Sequence, residues 1–152
     1  MRSSSSLDAS SSRLILLVDD HSLGLAARKA VLEEAGYKVV AASSAAEALE
    51  AFSKRHFDLL VTDYRMPRMN GIELIRRIRE QREDLPVILV SGVADALGLA
   101  ESNTGANVVI QKSANEVTHL VRAVDRLLQR KTQRKPAGRV RGATKARRQS
   151  AS

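Results

Sequence analysis

The chain has 152 residues, which suits one domain, and its 43% hydrophobic content is enough for a core of mainly aliphatic side chains. It contains no Cys, which excludes disulfides, thiol catalysis and thiolate metal sites, and its three His do not form a metal-spaced cluster. No apolar run is long enough to predict a transmembrane span, and the N-terminus lacks the apolar segment of a signal peptide. We therefore expect a cytoplasmic protein.

The formal net charge of +8 is concentrated at one end of the chain. Residues 130–152 contain nine Lys/Arg and no Asp/Glu, whereas residues 1–129 contain 16 Lys/Arg and 17 Asp/Glu, a net charge of −1. The basic segment lacks apolar periodicity and predicts a disordered tail, and residues 1–12, with seven Ser, predict a disordered N-terminus. The tail could make weak contacts with nucleic acid or an acidic membrane, or serve only as a solubilising linker; without aromatic residues it does not suit base stacking.

Between residues 13 and 129, five apolar runs alternate with five helical patterns. The predicted strands are 14–18, 37–41, 59–63, 86–90 and 107–111, and the predicted helices are 22–35, 44–54, 71–82, 94–103 and 113–129. Gly36 is the expected stop of the first helix, Gly98 interrupts the fourth, and Ser44 with Glu47 and Ser113 with Glu116 suit capping boxes. The alternation predicts a single α/β domain: a doubly wound (βα)5 flavodoxin-like parallel sheet with strand order 2-1-3-4-5.

Charged and polar side chains follow four of the predicted strands. Asp19 and Asp20 come after the first strand, Asp63 ends the third, Ser91 follows the fourth and Lys112 follows the fifth. In the predicted strand order all five lie at the C-terminal edge of the sheet, where open α/β sheets bind ligands. Lys112 starts about 10 Å from the third strand, because neighbouring strands are roughly 4.8 Å apart, and its long side chain can span most of that distance.

Three crowded carboxylates repel one another unless a cation lies between them. Mg²⁺ suits such a site, because it takes oxygen ligands and uses one or two carboxylates beside phosphate. A carboxylate can also act as a nucleophile and form an aspartyl-phosphate, whose oxygens Mg²⁺, Lys112 and the Ser91 hydroxyl would neutralise. The pattern therefore favours phosphoryl transfer.

The acidic pair, the Asp-x-x-Met-Pro-x-Met-x-Gly pattern that starts at Asp63, and the Ser and Lys after the fourth and fifth strands resemble the receiver domain of two-component response regulators. The resemblance covers about residues 13–129. It implies that Asp63 is the phosphoacceptor, that Ser91 is the hydroxyl that follows the phosphoryl group, and that Lys112 pairs with that group. It also implies that the chain takes phosphate from a histidine kinase or a histidine phosphotransfer protein and then hydrolyses the acyl phosphate itself, so it is not expected to be an enzyme with its own substrate.

The same resemblance implies a metal site for Mg²⁺. Asp20 would be the direct carboxylate ligand beside Asp63, Asp19 would be its outer-shell partner, and the backbone carbonyl of Arg65 would complete the protein ligands.

Two residues depart from the family pattern. The position three before the lysine usually carries Tyr or Phe that swings inward on activation, and here it is Val109. The position after the lysine usually carries a cis-linked Pro, and here it is Ser113. Because a cis bond to a residue other than Pro costs about 3–4 kcal/mol, we expect a trans bond. Neither change removes a group needed for phosphorylation.

The resemblance favours a receiver that signals through protein contacts to a downstream target, without its own output domain, and that can form a homodimer when phosphorylated. The chain could instead be the receiver part of a larger hybrid kinase. Alternatives are a nucleic-acid-associated protein bound through residues 130–152 and regulated by the receiver, and a degenerate receiver that never takes phosphate. A phosphatase similar to the haloacid dehalogenase family is disfavoured, because Arg65 stands where that family carries its acidic proton donor.

Overall fold

A computed structural model describes residues 13–137; the predicted Ser-rich N-terminus and the end of the predicted basic tail, residues 138–152, lie outside the described residues. Five parallel strands form one sheet in the order β2-β1-β3-β4-β5. The strands are β1 Leu14–Val18, β2 Lys38–Ala42, β3 Leu59–Asp63, β4 Val87–Ser91 and β5 Val108–Gln111. The helices are α1 Ser22–Glu34, α2 Ala45–Lys54, α3 Gly71–Gln81, α4 Ala94–Leu97, α5 Glu101–Thr104 and α6 Glu116–Ala137. The predicted flavodoxin-like fold and strand order are confirmed.

The sheet is covered on both faces, and alternate residues of each central strand pack on opposite sides. Every residue of β1, β3 and β4 is buried. One face packs with α2 and α3 through Leu16, Leu60, Leu89, Phe52, Leu74, Ile75 and Ile78. The other packs with α1 and α6 through Leu17, Val61, Ile88, Leu32, Leu120, Val124 and Leu128. None of the helices within residues 13–137 is both long and apolar enough to cross a membrane.

The predicted stop at Gly36 is confirmed by its backbone conformation. Gly36 has φ +106°, a region that disfavours side chains, and its N–H donates to the carbonyl of Glu33 at 3.0 Å. The N–H of Tyr37 donates to the carbonyl of Leu32 at 3.1 Å. These two hydrogen bonds form a Schellman motif, which ends α1 and turns the chain into β2.

Of the two predicted capping boxes, the one at Ser44 forms in part and the one at Ser113 does not form. The Ser44 hydroxyl accepts the N–H of Glu47 at 3.1 Å, as expected, but the Glu47 carboxylate accepts the N–H of Ser43 at 2.7 Å rather than that of Ser44. The box at Ser113 is wrong, because its hydroxyl accepts the N–H of Asn115, and the Glu116 carboxylate pairs with an arginine of α1. A buried cation outweighs the local capping bond.

Two helices differ from their predicted extents. The region predicted as one helix over 94–103 is divided into α4 and α5, because Gly98 adopts φ +64° and the Asn103 side chain accepts the N–H of Ala100 at 2.8 Å to start a new helix. The last helix continues past the predicted boundary at 129 to Ala137. Residues 130–137 include Arg, Lys and Gln, which have high helix propensity without being apolar.

Candidate functional site

Three carboxylates meet at the C-terminal edge of the sheet. The parallel register pairs Val18 with Thr62, so the residues that follow them, Asp19 and Asp63, lie side by side. Oxygens of Asp19, Asp20 and Asp63 lie within 4.8 Å of one another. Asp19 and Asp63 are only 1% and 6% exposed, whereas Asp20 is open to solvent. The predicted acidic cluster is therefore present, with one accessible member.

Lys112 reaches this cluster from the end of β5, as predicted. Its Nζ lies 2.8 Å from Oδ1 of Asp63. Burial raises the pKa of the Asp63 carboxyl, the Lys112 ammonium acts in the opposite direction, and the nearby Asp19 carboxylate adds to the rise. Oδ1 is shielded from solvent, and within the described residues it receives no well-aligned hydrogen bond, so the ion pair with Lys112 is its main compensation.

Ser91 and Arg65 occupy the predicted positions but have different environments. Ser91 is the last residue of β4 and 1% exposed, and its hydroxyl accepts the N–H of Val93 at 3.0 Å. That hydrogen bond holds the turn after β4. Arg65 is exposed in the loop between β3 and α3, where it lines an open groove together with Asp20 and Asn70.

The loop that carries Arg65 is fixed tightly to the end of β3. The N–H of Gly71 donates to the carbonyl of Tyr64 at 2.8 Å, and the N–H of Tyr64 donates to the carbonyl of Val90 at 2.9 Å. A Cβ on Gly71 would lie 2.3 Å from the backbone oxygen of Asp63, so only glycine permits this approach. The glycine of the sequence motif therefore keeps the start of α3 close to the backbone of Asp63.

The residues present fit a divalent cation such as Mg²⁺. Within the described residues, Oδ1 of Asp63 is buried and has the ion pair with Lys112 but no well-aligned hydrogen bond, and the Asp20 carboxylate beside it is exposed. Both oxygens of Asp19 are already bonded, Oδ1 to the N–H of His21 at 2.9 Å and Oδ2 to Arg28. Asp20 and Asp63 are thus the available carboxylates, and Asp19 suits an outer position.

Sequence reasoning missed Arg28. This residue is 5% exposed on α1 and forms ion pairs with Asp19 and with Glu116 of α6. Burial alone would lower the pKa of its guanidinium, but the two carboxylates outweigh burial and raise it. The available signal was its spacing: Arg28 is three residues after Leu25 and four before Leu32, on the face of α1 that packs on the sheet.

The structure describes both residues that depart from the family pattern, Val109 and Ser113. Val109 is partly buried against the core on the α2 and α3 side of the sheet. Every peptide bond within residues 13–137 is trans, which confirms the expected trans bond before Ser113.

Comparisons with known sequences identify the family to which this chain is similar. The sequence model of the response regulator receiver domain matches residues 15–125. The response regulator receiver protein CpdR of Brucella abortus is 33% identical over 116 residues, which make up 76% of this chain and 96% of CpdR. The sensor protein EvgS of Escherichia coli K12 is 44% identical over 73 residues, which make up 48% of this chain and 6% of EvgS. The chain thus spans only a small part of that longer relative.

Solved structures have the same architecture. A response regulator receiver domain protein from Clostridium thermocellum has a TM-score of 0.71 and 29% identity, covering 80% of this chain and 98% of its own. The response regulator TrrA from Thermotoga maritima, solved in complex with Mg²⁺-BeF, has a TM-score of 0.69 and 30% identity, covering 76% of this chain and 99% of its own. The family match across most of the described residues, together with the acidic edge and the lysine that faces it, shows that this chain belongs to the response regulator receiver domain family.

Proposed function

We propose that this chain is a phosphoacceptor of two-component signalling and that Asp63 takes the phosphoryl group in a magnesium-dependent reaction. The observation that carries the proposal is the pairing of Asp63 with Lys112 at 2.8 Å, beside two further carboxylates within 4.8 Å. A buried, electrostatically tuned carboxylate at the edge of a cleft is a candidate nucleophile.

The proposed transfer needs few groups. A carboxylate oxygen of Asp63 attacks phosphorus, a new P–O bond forms, and the P–N bond of a phosphohistidine breaks, so that the histidine nitrogen leaves with the bonding pair and the imidazole takes up a proton from solvent. Lys112 holds one oxygen of Asp63 and is placed to neutralise charge on the phosphoryl oxygens. Magnesium bound by Asp20, Asp63 and the Arg65 carbonyl would supply further charge neutralisation.

The donor in this proposal is a histidine kinase or a histidine phosphotransfer protein. The chain is then a phosphorylated switch rather than an enzyme with an independent substrate, and it returns to its starting state when water hydrolyses the acyl phosphate. Its signal passes through contacts with a downstream protein, because phosphorylation adds negative charge at an edge joined to α3, α4 and α6 by short loops.

The intact mass of the full chain after incubation with acetyl phosphate tests this proposal. We expect a gain of one phosphoryl group with Mg²⁺, no gain with EDTA, and no gain in Asp63→Asn. A phosphoryl gain that persists in Asp63→Asn would contradict the assignment of Asp63. A gain in EDTA equal to that in Mg²⁺ would contradict the role of the metal.

A further inference from the structure

Arg28 joins three elements at the acidic edge. It lies on α1 and is 5% exposed, and its Nη1 donates to Oδ2 of Asp19 at the end of β1. Its Nε donates to Oε2 of Glu116, in the first turn of α6, at 2.5 Å. A guanidinium that is buried this deeply needs such partners, because an unpaired charge in the protein interior costs free energy. Arg28 is thus an internal counter-charge beside the proposed metal site.

Gly24 makes room for this contact. It lies one turn before Arg28 on α1, and a Cβ there would be 2.9 Å from Oδ2 of Asp19 and 3.2 Å from Nη1 of Arg28. Glycine has low helix propensity, so its presence near the start of α1 lowers the stability of that helix. The space that it leaves is occupied by the Arg28–Asp19 ion pair.

The ion pair changes what Asp19 can offer to a metal. Oδ2 is bonded to Arg28, Oδ1 accepts the N–H of His21 at 2.9 Å, and the side chain is 1% exposed. The field of Arg28 also extends to Asp63, whose charged form it favours. A fixed positive charge therefore stands inside the same cluster that a divalent cation would enter.

We propose that Arg28 is a positioning residue that weakens the binding of divalent cations by the acidic cluster, and that Glu116 limits this effect by sharing its charge. The inference rests on the proposed magnesium site, in which Asp20 and Asp63 are the carboxylate ligands and Asp19 lies beside them. A cation placed among carboxylates reduces their attraction for a second cation. Because Arg28 divides its hydrogen bonds between Asp19 and Glu116, removing the charge of Glu116 leaves more of the positive charge facing Asp19.

Two substitutions should therefore act in opposite directions. Arg28→Met removes the cation and should tighten Mg²⁺ binding about tenfold, since one neighbouring charge commonly shifts such an equilibrium by that factor or more. Glu116→Gln keeps the cation and removes its second partner, so it should weaken Mg²⁺ binding by about threefold or more. A role of Arg28 in stability alone would not produce opposite changes in metal affinity.

Isothermal titration calorimetry of the full chain with MgCl₂ measures the dissociation constant for Mg²⁺ and provides the test. The variants are wild type, Arg28→Met, Glu116→Gln and the control Lys29→Met, with circular dichroism to verify folding in EDTA. Lys29 is the neighbouring cation of α1, but it is more than a third exposed and pairs with Glu33 at 2.8 Å. Its removal lowers the total charge equally and should leave the dissociation constant within about twofold, because exposed charges are screened by solvent.

The outcomes separate this inference from the proposed function. If wild type binds Mg²⁺ and both Arg28→Met and Glu116→Gln bind it equally well, the inference is overturned while the metal site stands. If only Arg28→Met binds Mg²⁺, the inference is supported and the magnesium dependence proposed for wild type is wrong. If neither wild type nor any variant binds Mg²⁺, both the inference about Arg28 and the proposed magnesium site are wrong. If Arg28→Met does not fold, Glu116→Gln decides: weaker binding supports the inference, and unchanged or tighter binding overturns it.

Discussion

Gly71→Ala should disturb both the fold and the position of Asp63, the proposed phosphoacceptor. The added Cβ would lie 2.3 Å from the backbone oxygen of Asp63 and 2.9 Å from Cδ1 of Leu89. Since real Cβ atoms essentially never approach closer than 3.0 Å, the start of α3 and the end of β3 must separate by about 0.7 Å, the difference between 3.0 and 2.3 Å. The 2.3 Å contact is with a backbone oxygen, which cannot rotate away as the end of a flexible side chain could.

Such overpacking lowers the free energy of unfolding by about 1–3 kcal/mol. Because the Cβ would meet rigid backbone, we expect a loss of about 2 kcal/mol. Urea unfolding in EDTA should show a midpoint lower by about 1 M, given the usual dependence of stability on denaturant. The same displacement moves the carbonyls of Asp63 and Arg65, and phosphorylation by acetyl phosphate should slow by about tenfold or more, as sub-ångström misplacement at reacting groups commonly does.

Gly92→Ala is the matched control for this change. A Cβ on Gly92 would meet only Cδ of Lys112 at 3.9 Å, an ordinary contact, so we expect a stability change within about 0.5 kcal/mol. If Gly71→Ala unfolds at the same urea concentration as Gly92→Ala, the close approach between α3 and the end of β3 is not what holds this loop.

Three other substitutions have distinct expected results. Asp63→Asn should stabilise the fold in EDTA at pH 7, because burial raises the pKa of Asp63 and the native state therefore disfavours its charge. This gain should be full above the raised native pKa and should shrink as the pH falls toward the ordinary value of 3.8. Lys112→Met should raise the pKa of Asp63 further and slow its phosphorylation about tenfold or more, because the ammonium 2.8 Å away is lost. Arg79→Met should cost about 2 kcal/mol, because its guanidinium donates to the carbonyls of Glu83 and Gly105, each at 2.8 Å.

Each of these results has a measurement that could contradict it. The stabilisation expected for Asp63→Asn is tested by urea unfolding at pH 7 and pH 4. It would be contradicted if the variant is less stable than wild type at both pH values, or if its gain in stability over wild type is larger at pH 4 than at pH 7. A wild-type rate of phosphoryl gain in Lys112→Met, followed by intact mass, would contradict the second. For the third, Arg77→Met is a control from the exposed face of α3, and an equal loss of stability in the two variants would show that the bonds of Arg79 contribute little.

The positions of the main site residues were predictable because they follow from strand order. Once β1 and β3 are neighbours, Asp19 and Asp63 must lie at the same edge, and the length of the Lys112 side chain is enough to reach Asp63. The apolar runs of the central strands were equally informative, because strands buried on both faces carry continuous hydrophobic sequence.

The missed features depend on contacts between residues distant in sequence. Arg28 is predictable only as a cation on an inward face, and its partner Glu116 is 88 residues away. The same contact explains why the predicted capping box at Ser113 is wrong, since a local pattern cannot show that a distant guanidinium competes for the carboxylate. The extent of α6 was underestimated because apolar periodicity ends near Leu128, whereas helix propensity continues in the charged residues that follow.

The most direct test of the central claim is to locate the acyl phosphate. Sodium borohydride reduces an aspartyl-phosphate to homoserine, and peptide mass spectrometry of the reduced, Mg²⁺- and acetyl phosphate-treated chain identifies the modified position. We expect homoserine at Asp63 and unmodified Asp19 and Asp20. Homoserine at Asp19 or Asp20, or a phosphoryl gain that borohydride does not convert at Asp63, would contradict it.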